Sequence, residues 1–198
     1  VSHVKSAFGA RRETTPQIRE IDRRGFFRRL DAMLATYAAA MEPPTDQMPG
    51  RRTIMERHAA YPGFRAFVAG RRRDVAGFAY GFHGEPGQWW HDVVHAALTE
   101  TGGPEHAHAW MEDTFEVAEL HVHPDSQGHG LGRRLITTLC ADRPERTVVL
   151  STLDAQTPAR NLYRSLGMTD LLTDFRFPGG GPLYAVMGAR LPLTSRRS

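Results

Sequence analysis

Two stretches hold residues whose types and spacing could do chemistry. The first, DSQGHGLGRRL, alternates Gly128, Gly130 and Gly132 with Gln127, His129 and Leu131 and ends in Arg133 and Arg134. Glycines let backbone approach a bound group closely. Leu131, Leu135, Ile136 and Leu139 repeat at helical spacing, so the glycines stand at a helix N-terminus. Unpaired N–H groups and the positive end of the helix dipole there suit a phosphate or pyrophosphate. The loop has no lysine in the triphosphate-loop position, and its glycines are two apart, unlike a dinucleotide fingerprint.

The second stretch, FEVAELHV, carries Glu116, Glu119 and His121, each able to take a proton from an attacking group. Phe115 and Val117 are apolar at odd positions, Leu120 and Val122 at even ones. Side chains alternate with period two, so one core for all four needs an extra residue near Ala118 or Glu119. Such a β-bulge leaves backbone groups free and gathers Glu116, Glu119 and His121 on the other face. The alternative is an ordinary strand with one polar face.

The elements that position these residues follow a mixed pattern. A short strand at Gln17–Ile21, helices at Gly25–Met41 and within Thr45–His58, and a hairpin of Phe64–Ala69 with Val75–Phe82 across GRRRD come first. The Gly84–Asp113 segment interrupts this order, with a helix over Trp89–Leu98 broken at Gly102, Gly103 and Pro104. From Thr114 onward the order is strand to Val122, glycine loop, helix Leu131–Ala141, strand Thr147–Thr152 and helix Pro158–Leu166. That βαβα order argues for α/β.

The chain has 198 residues, 40% hydrophobic and 24% charged, enough for one domain with a core. It shows no run long enough for a membrane span and no signal peptide, and one cysteine, Cys140, fits a reducing cytoplasm. A net charge of +3 and a pI of 9.4 raise a nucleic-acid reading. The basic residues, however, are scattered arginine pairs among acids, with Lys5 the single lysine, a pattern closer to a solvated surface than to a binding stripe. His91, His95, His106, His108, His121 and His123 do not converge by spacing on a zinc site, so no metal is expected.

Gln127, Gly130 and Gly132, preceded by Val122 and Pro124 and followed by Ala159, Leu162, Tyr163 and Gly167 in TPARNLYRSLGM, resemble the GNAT superfamily of acyl-CoA-dependent N-acetyltransferases. The likeness covers roughly Thr114–Met168, with Gln156 where the family commonly has Asn. It implies a mixed α/β sheet of six to seven strands, splayed in the centre, in a single domain over 1–198 with an insert at about 84–113. It also implies acetyl transfer from acetyl-CoA to a primary amine by direct attack, and often a homodimer.

The resemblance places the pantetheine arm beside Leu120, His121 and Val122, with a bulge amide near His121 or Val122 polarising the thioester carbonyl. It places the pyrophosphate on the amides of Gln127, Gly128, His129, Gly130, Leu131, Gly132 and Arg133. Tyr163 would protonate the departing thiolate; on spacing alone it is equally a core tyrosine. Glu116, eleven residues before Gln127, ranks first as base, with Glu119 and His121 as alternates. Trp89, Trp90 and Trp110 either line the acceptor pocket or staple the insert to the domain. Two other functions stay open: a CoA-binding sensor without catalysis, and an arginine-rich nucleic-acid binder.

Overall fold

The computed structural model describes residues 16–71 and 74–194. Lys5, Arg11, Arg12 and the centre of the GRRRD turn lie outside them. Seven strands, β1 (Ile18–Ile21), β2 (Arg65–Arg71), β3 (Asp74–Gly84), β4 (Thr114–Val122), β5 (Thr147–Leu153), β6 (Thr169–Phe175) and β7 (Tyr184–Arg190), form one sheet in the order β1-β2-β3-β4-β5-β7-β6. Every neighbouring pair is antiparallel except β4 with β5. This is a mixed α/β architecture, as the element order predicts.

Six helices cover the sheet: α1 (Arg23–Met41), α2 (Met48–His58), α3 (Trp89–Gly102), α4 (Pro104–Met111), α5 (Leu131–Cys140) and α6 (Pro158–Ser165). In α1 Asp22 caps the start, its carboxylate accepting from the Gly25 amide at 2.7 Å, and Pro43 and Pro44 follow its end. Phe26, Leu30, Met33, Leu34 and Tyr37 make its buried stripe. The second helix of the Gly84–Asp113 segment is absent from the sequence expectation. PEHAHAWM is short and half polar, and the Gly-Pro step that ends one helix also starts the next, with Gly103 at φ 84° and Pro104 in the first turn.

Three apolar clusters fill the interior. α5 and α6 pack on one face through Leu135, Ile136, Leu139 and Tyr163 against Phe67, Ala79, Phe115, Val117, Val148 and Leu150. The opposite face is divided. α1 and α2 cover β2 and β3 through Phe26, Met33, Met55, Phe78, Tyr80 and Phe82, while α3 and α4 cover β5 to β7 through Val94, Leu98, Met111, Val149 and Val186. The seam between the two helix pairs runs over the junction of β4 and β5.

Candidate functional site

β4 contains the bulge that its apolar phase predicts. Pairing with β3 runs Gly81 to Val117 and then Tyr80 to Glu119, so Ala118 is the extra residue. Phe115, Val117, Leu120 and Val122 thereby all face the α5–α6 cluster. Glu116, Glu119 and His121 occupy the other face, where Ala118 meets the α1–α2 cluster and the His121 ring lies 5.0 Å from that of Tyr37.

The strands then part. β4 and β5 pair only at Thr114 with Thr147, Phe115 with Val148 and Glu116 with Val149, although β4 continues to Val122 and β5 to Leu153. The His123 amide donates to the Ala76 carbonyl at 2.8 Å, so alternation along the ladder turns the His121 amide toward β3. The same alternation directs the Leu120 and Val122 amides into the gap. Sequence reasoning, which named His121 beside Val122, had no means of fixing this phase before the bulge was located.

Beyond the gap, Gln127 Nε2 donates to the Val122 carbonyl at 2.9 Å and ties the loop to the strand end. Gly128 and Gly130 take φ 79° and 73°, and a Cβ at either would meet nothing within 4 Å. Gly130 is the N-cap of α5, with no side-chain cap and no acidic residue in the first turn. The Arg134 amide closes that turn on the Gly130 carbonyl at 3.1 Å, leaving the Leu131, Gly132 and Arg133 amides facing outward. His129 is exposed, and the Arg133 guanidinium turns back to the Ser165 hydroxyl on α6.

On the divided face, burial pushes the Glu116 carboxyl up to about 8, and its Oε2 has no hydrogen-bond partner. Glu119, three residues on, is equally buried but falls below its ordinary value. Burial would raise it, and the bond and charge of His121 and the Arg51 guanidinium overcome that cost. Arg51 Nη1 donates to Glu119 Oε1 at 2.7 Å, and His121 Nε2 meets Oε2. An ionised carboxylate only accepts, so the His121 proton is on Nε2.

Arg51, Tyr37, His58 and Tyr80 were not singled out in the sequence. The Arg51 guanidinium lies 4.7 Å from the Tyr37 ring centroid, and His58 Nδ1 is 3.1 Å from the Tyr80 hydroxyl. Burial and the Arg51 charge lower His58 to about 4, which keeps it neutral. No local motif marks these residues, because α1, α2 and β3 bring them to β4 from distant parts of the chain.

Tyr163 is held on α6, whose start is capped by the Thr157 side chain accepting from the Arg160 amide at 3.1 Å. Its ring packs in the α5–α6 cluster. Burial, with Glu119 and Cys140 nearby, raises its hydroxyl above the ordinary value, so the phenol stays protonated.

A family model described as acetyltransferase (GNAT) family matches residues 30–168. The chain belongs to the GNAT acetyltransferase family. It is 42% identical over 123 residues to the GCN5-like protein acetyltransferase of Mycobacterium tuberculosis, an alignment covering 60% of this chain and 60% of that relative. Among solved structures, yncA of Salmonella typhimurium, determined with its cofactor acetyl-CoA, shares the fold at a TM-score of 0.58. It is 19% identical and is matched over 93% of this chain and 99% of that one. Ribosomal-protein-alanine N-acetyltransferase of Brucella melitensis gives 0.57 at 22% identity, over 88% and 99%.

In this GNAT protein the three tryptophans do not lie together. Trp90 Nε1 donates to Ser151 Oγ on β5 at 3.3 Å, and exposed Trp89 lies 5.7 Å from the Phe177 ring, both toward the open end of the gap. Trp110 packs on Gly188 and under Arg190, which pair with Val149 and Thr147, beyond the closed end. Among the described residues no group of three or more His, Cys, Asp or Glu could hold a metal, and no helix is long and apolar enough to cross a membrane.

Proposed function

We propose that this GNAT acetyltransferase moves the acetyl group of acetyl-CoA to a primary amine by direct attack, with Glu116 as the base. The observation that carries this reading is the buried, unpartnered Glu116 carboxyl at the fork where β4 leaves β5. A base needs a free lone pair. Glu119 has both oxygens engaged, by Arg51 and His121, whereas Glu116 Oε2 is open. A carboxyl at about 8 is also better matched to an alkylammonium proton than an ordinary carboxylate.

The residues present fit acetyl-CoA. The uncapped N-terminus of α5 and the open space over Gly128 and Gly130 suit a pyrophosphate. Leu120, Val122, Ala159 and Leu162, half-buried against the α5–α6 cluster, offer apolar surface along which a pantetheine arm would lie. When bound, acetyl-CoA supplies the activated acyl group. The Leu120 amide donates to the thioester oxygen as charge builds on it. Glu116 takes the amine proton, and Tyr163 returns a proton to the leaving sulfur.

Thiol release from acetyl-CoA against amino acids, polyamines, aminoglycosides and peptides tests the proposal. The name of the mycobacterial relative adds protein amines to that panel. Release that depends on one amine class and falls at least a hundredfold in Glu116→Gln is expected. CoA binding without release on any amine would replace this reading by that of a sensor domain.

A further inference from the structure

α2 packs on the same side of the sheet as α1, and its Arg51 reaches the face of β4 that carries Glu116 and Glu119. Arg51 Nη1 is 2.7 Å from Glu119 Oε1, and the guanidinium is stacked on Tyr37. The two partners differ in what they have left to offer. Glu119 has a partner on each oxygen, Arg51 and His121, and only 6% of its side chain exposed, so it leaves little room for an incoming cation. Arg51 has 34% of its side chain exposed, and the Glu119 bond uses one of its several N–H donors. A guanidinium pinned from behind by a buried carboxylate and laid on an aromatic ring presents a fixed fork. Such a fork binds carboxylate or phosphate through two parallel hydrogen bonds.

The bulge sets the spacing. Because Ala118 is the extra residue, Glu116 and Glu119 share one face of β4, and Arg51 reaches that face through Glu119. An amine at Glu116 therefore has Glu119, with the Arg51 fork on it, two ladder positions away, roughly 7 Å along the strand.

We infer that the acceptor carries an anionic group beside its amine and that Arg51 is the residue that binds it. This inference rests on the acetyl-transfer reading above. The anion is a carboxylate or a phosphate; a carboxylate has two sources, the acceptor's own α-carboxylate or an acidic side chain next to a lysine.

Matched acceptors test it by steady-state thiol release: glycine with glycinamide, lysine with lysinamide, lysine peptides with a neighbouring Glu or Gln, and phosphoethanolamine with ethanolamine. In at least one pair the anionic member is expected to have a kcat/KM at least tenfold higher, through KM, and the pair that responds identifies the source. Arg51→Ala should bring that ratio to within about threefold, and Arg51→Lys, which keeps the charge but not the fork, should fall between. Ratios near unity in every pair, or a preference for the neutral members that Arg51→Ala strengthens, would overturn the assignment.

Calorimetric titration of the same acceptors' N-acetylated products into the CoA-saturated protein reads the anchor without turnover. Tighter binding of the anionic products in the wild type alone supports it, and equal binding of both members overturns it. A protein that releases no thiol yet keeps this anionic preference has lost the transferase reading and retained the Arg51 site.

Discussion

Glu116 and Glu119 stand three residues apart on one strand and on the same face, yet their surroundings push their carboxyls in opposite directions. Ala118, the extra residue of the bulge, supplies the shared face. Arg51 and His121 ionise Glu119, while Glu116, with no partner, is left to burial alone. Paired carboxylates whose surroundings push them apart are a common way of assigning acid and base.

Glu116 should impose a pH profile. It is the ionised form that accepts a proton, so kcat/KM for an amine should rise with pH through an apparent pKa of about 8. Glu116→Gln should flatten that limb and lower kcat by two to four orders of magnitude, on the usual scale for a lost general base. An unchanged profile in the variant would remove Glu116 from the base role.

The same carboxyl should leave a mark on stability. Its folded value of about 8 lies above its ordinary 4.5, so its contribution is fully present below pH 4.5 and is lost as pH rises toward 8. Glu116→Gln escapes that loss. Its stability relative to the wild type should grow between pH 5 and pH 8.5 by on the order of a few kcal/mol, seen as a widening difference in Tm. A constant difference across that range, followed by differential scanning fluorimetry, would contradict the raised value.

Deleting Ala118 isolates the bulge. Without it Phe115, Val117, Leu120 and Val122 still alternate onto one face, so the core pattern is kept. The fold should persist by circular dichroism, with the Leu120 and Val122 amides still turned to the gap but shifted about one residue along it, and turnover reduced at least a hundredfold. Full activity in the deletion would mean that the bulge serves packing alone.

Gly130→Ala addresses the loop. The site has room for a Cβ, so the cost is the left-handed φ of 73°, about 1–2 kcal/mol. The KM for acetyl-CoA should rise roughly five- to thirtyfold, with kcat changed less. A reduced kcat at unchanged KM would place the loop's role in the chemical step.

Tyr163→Phe should lower kcat at least tenfold with little change in acetyl-CoA affinity, since the ring and its packing remain. Full turnover in rapid-mixing assays of thiol release would return Tyr163 to a purely structural role in the α5–α6 cluster.

Local rules were sufficient for much of this molecule. The phase slip in FEVAELHV marked the bulge, because side-chain alternation is a property of the strand itself. The glycine spacing marked the loop and the start of α5, and Thr157, Pro158 and Gly167 marked the limits of α6, because caps and turns are set by adjacent residues. Those features, with Tyr163, were enough to point to the family.

Only the tertiary structure decided how the surroundings of the three polar residues of β4 differ. Glu116, Glu119 and His121 look alike in sequence as proton acceptors. Their difference comes from Arg51 on α2, Tyr37 on α1 and the seam between two helix pairs, all supplied by segments far along the chain. The tryptophans show the same limit: Trp89 and Trp90 lie toward the open end of the gap and Trp110 beyond the closed end, because packing of α3 and α4 on β5 to β7 places them. Charge state and direction depend on neighbours in space, and a sequence lists neighbours only along the chain.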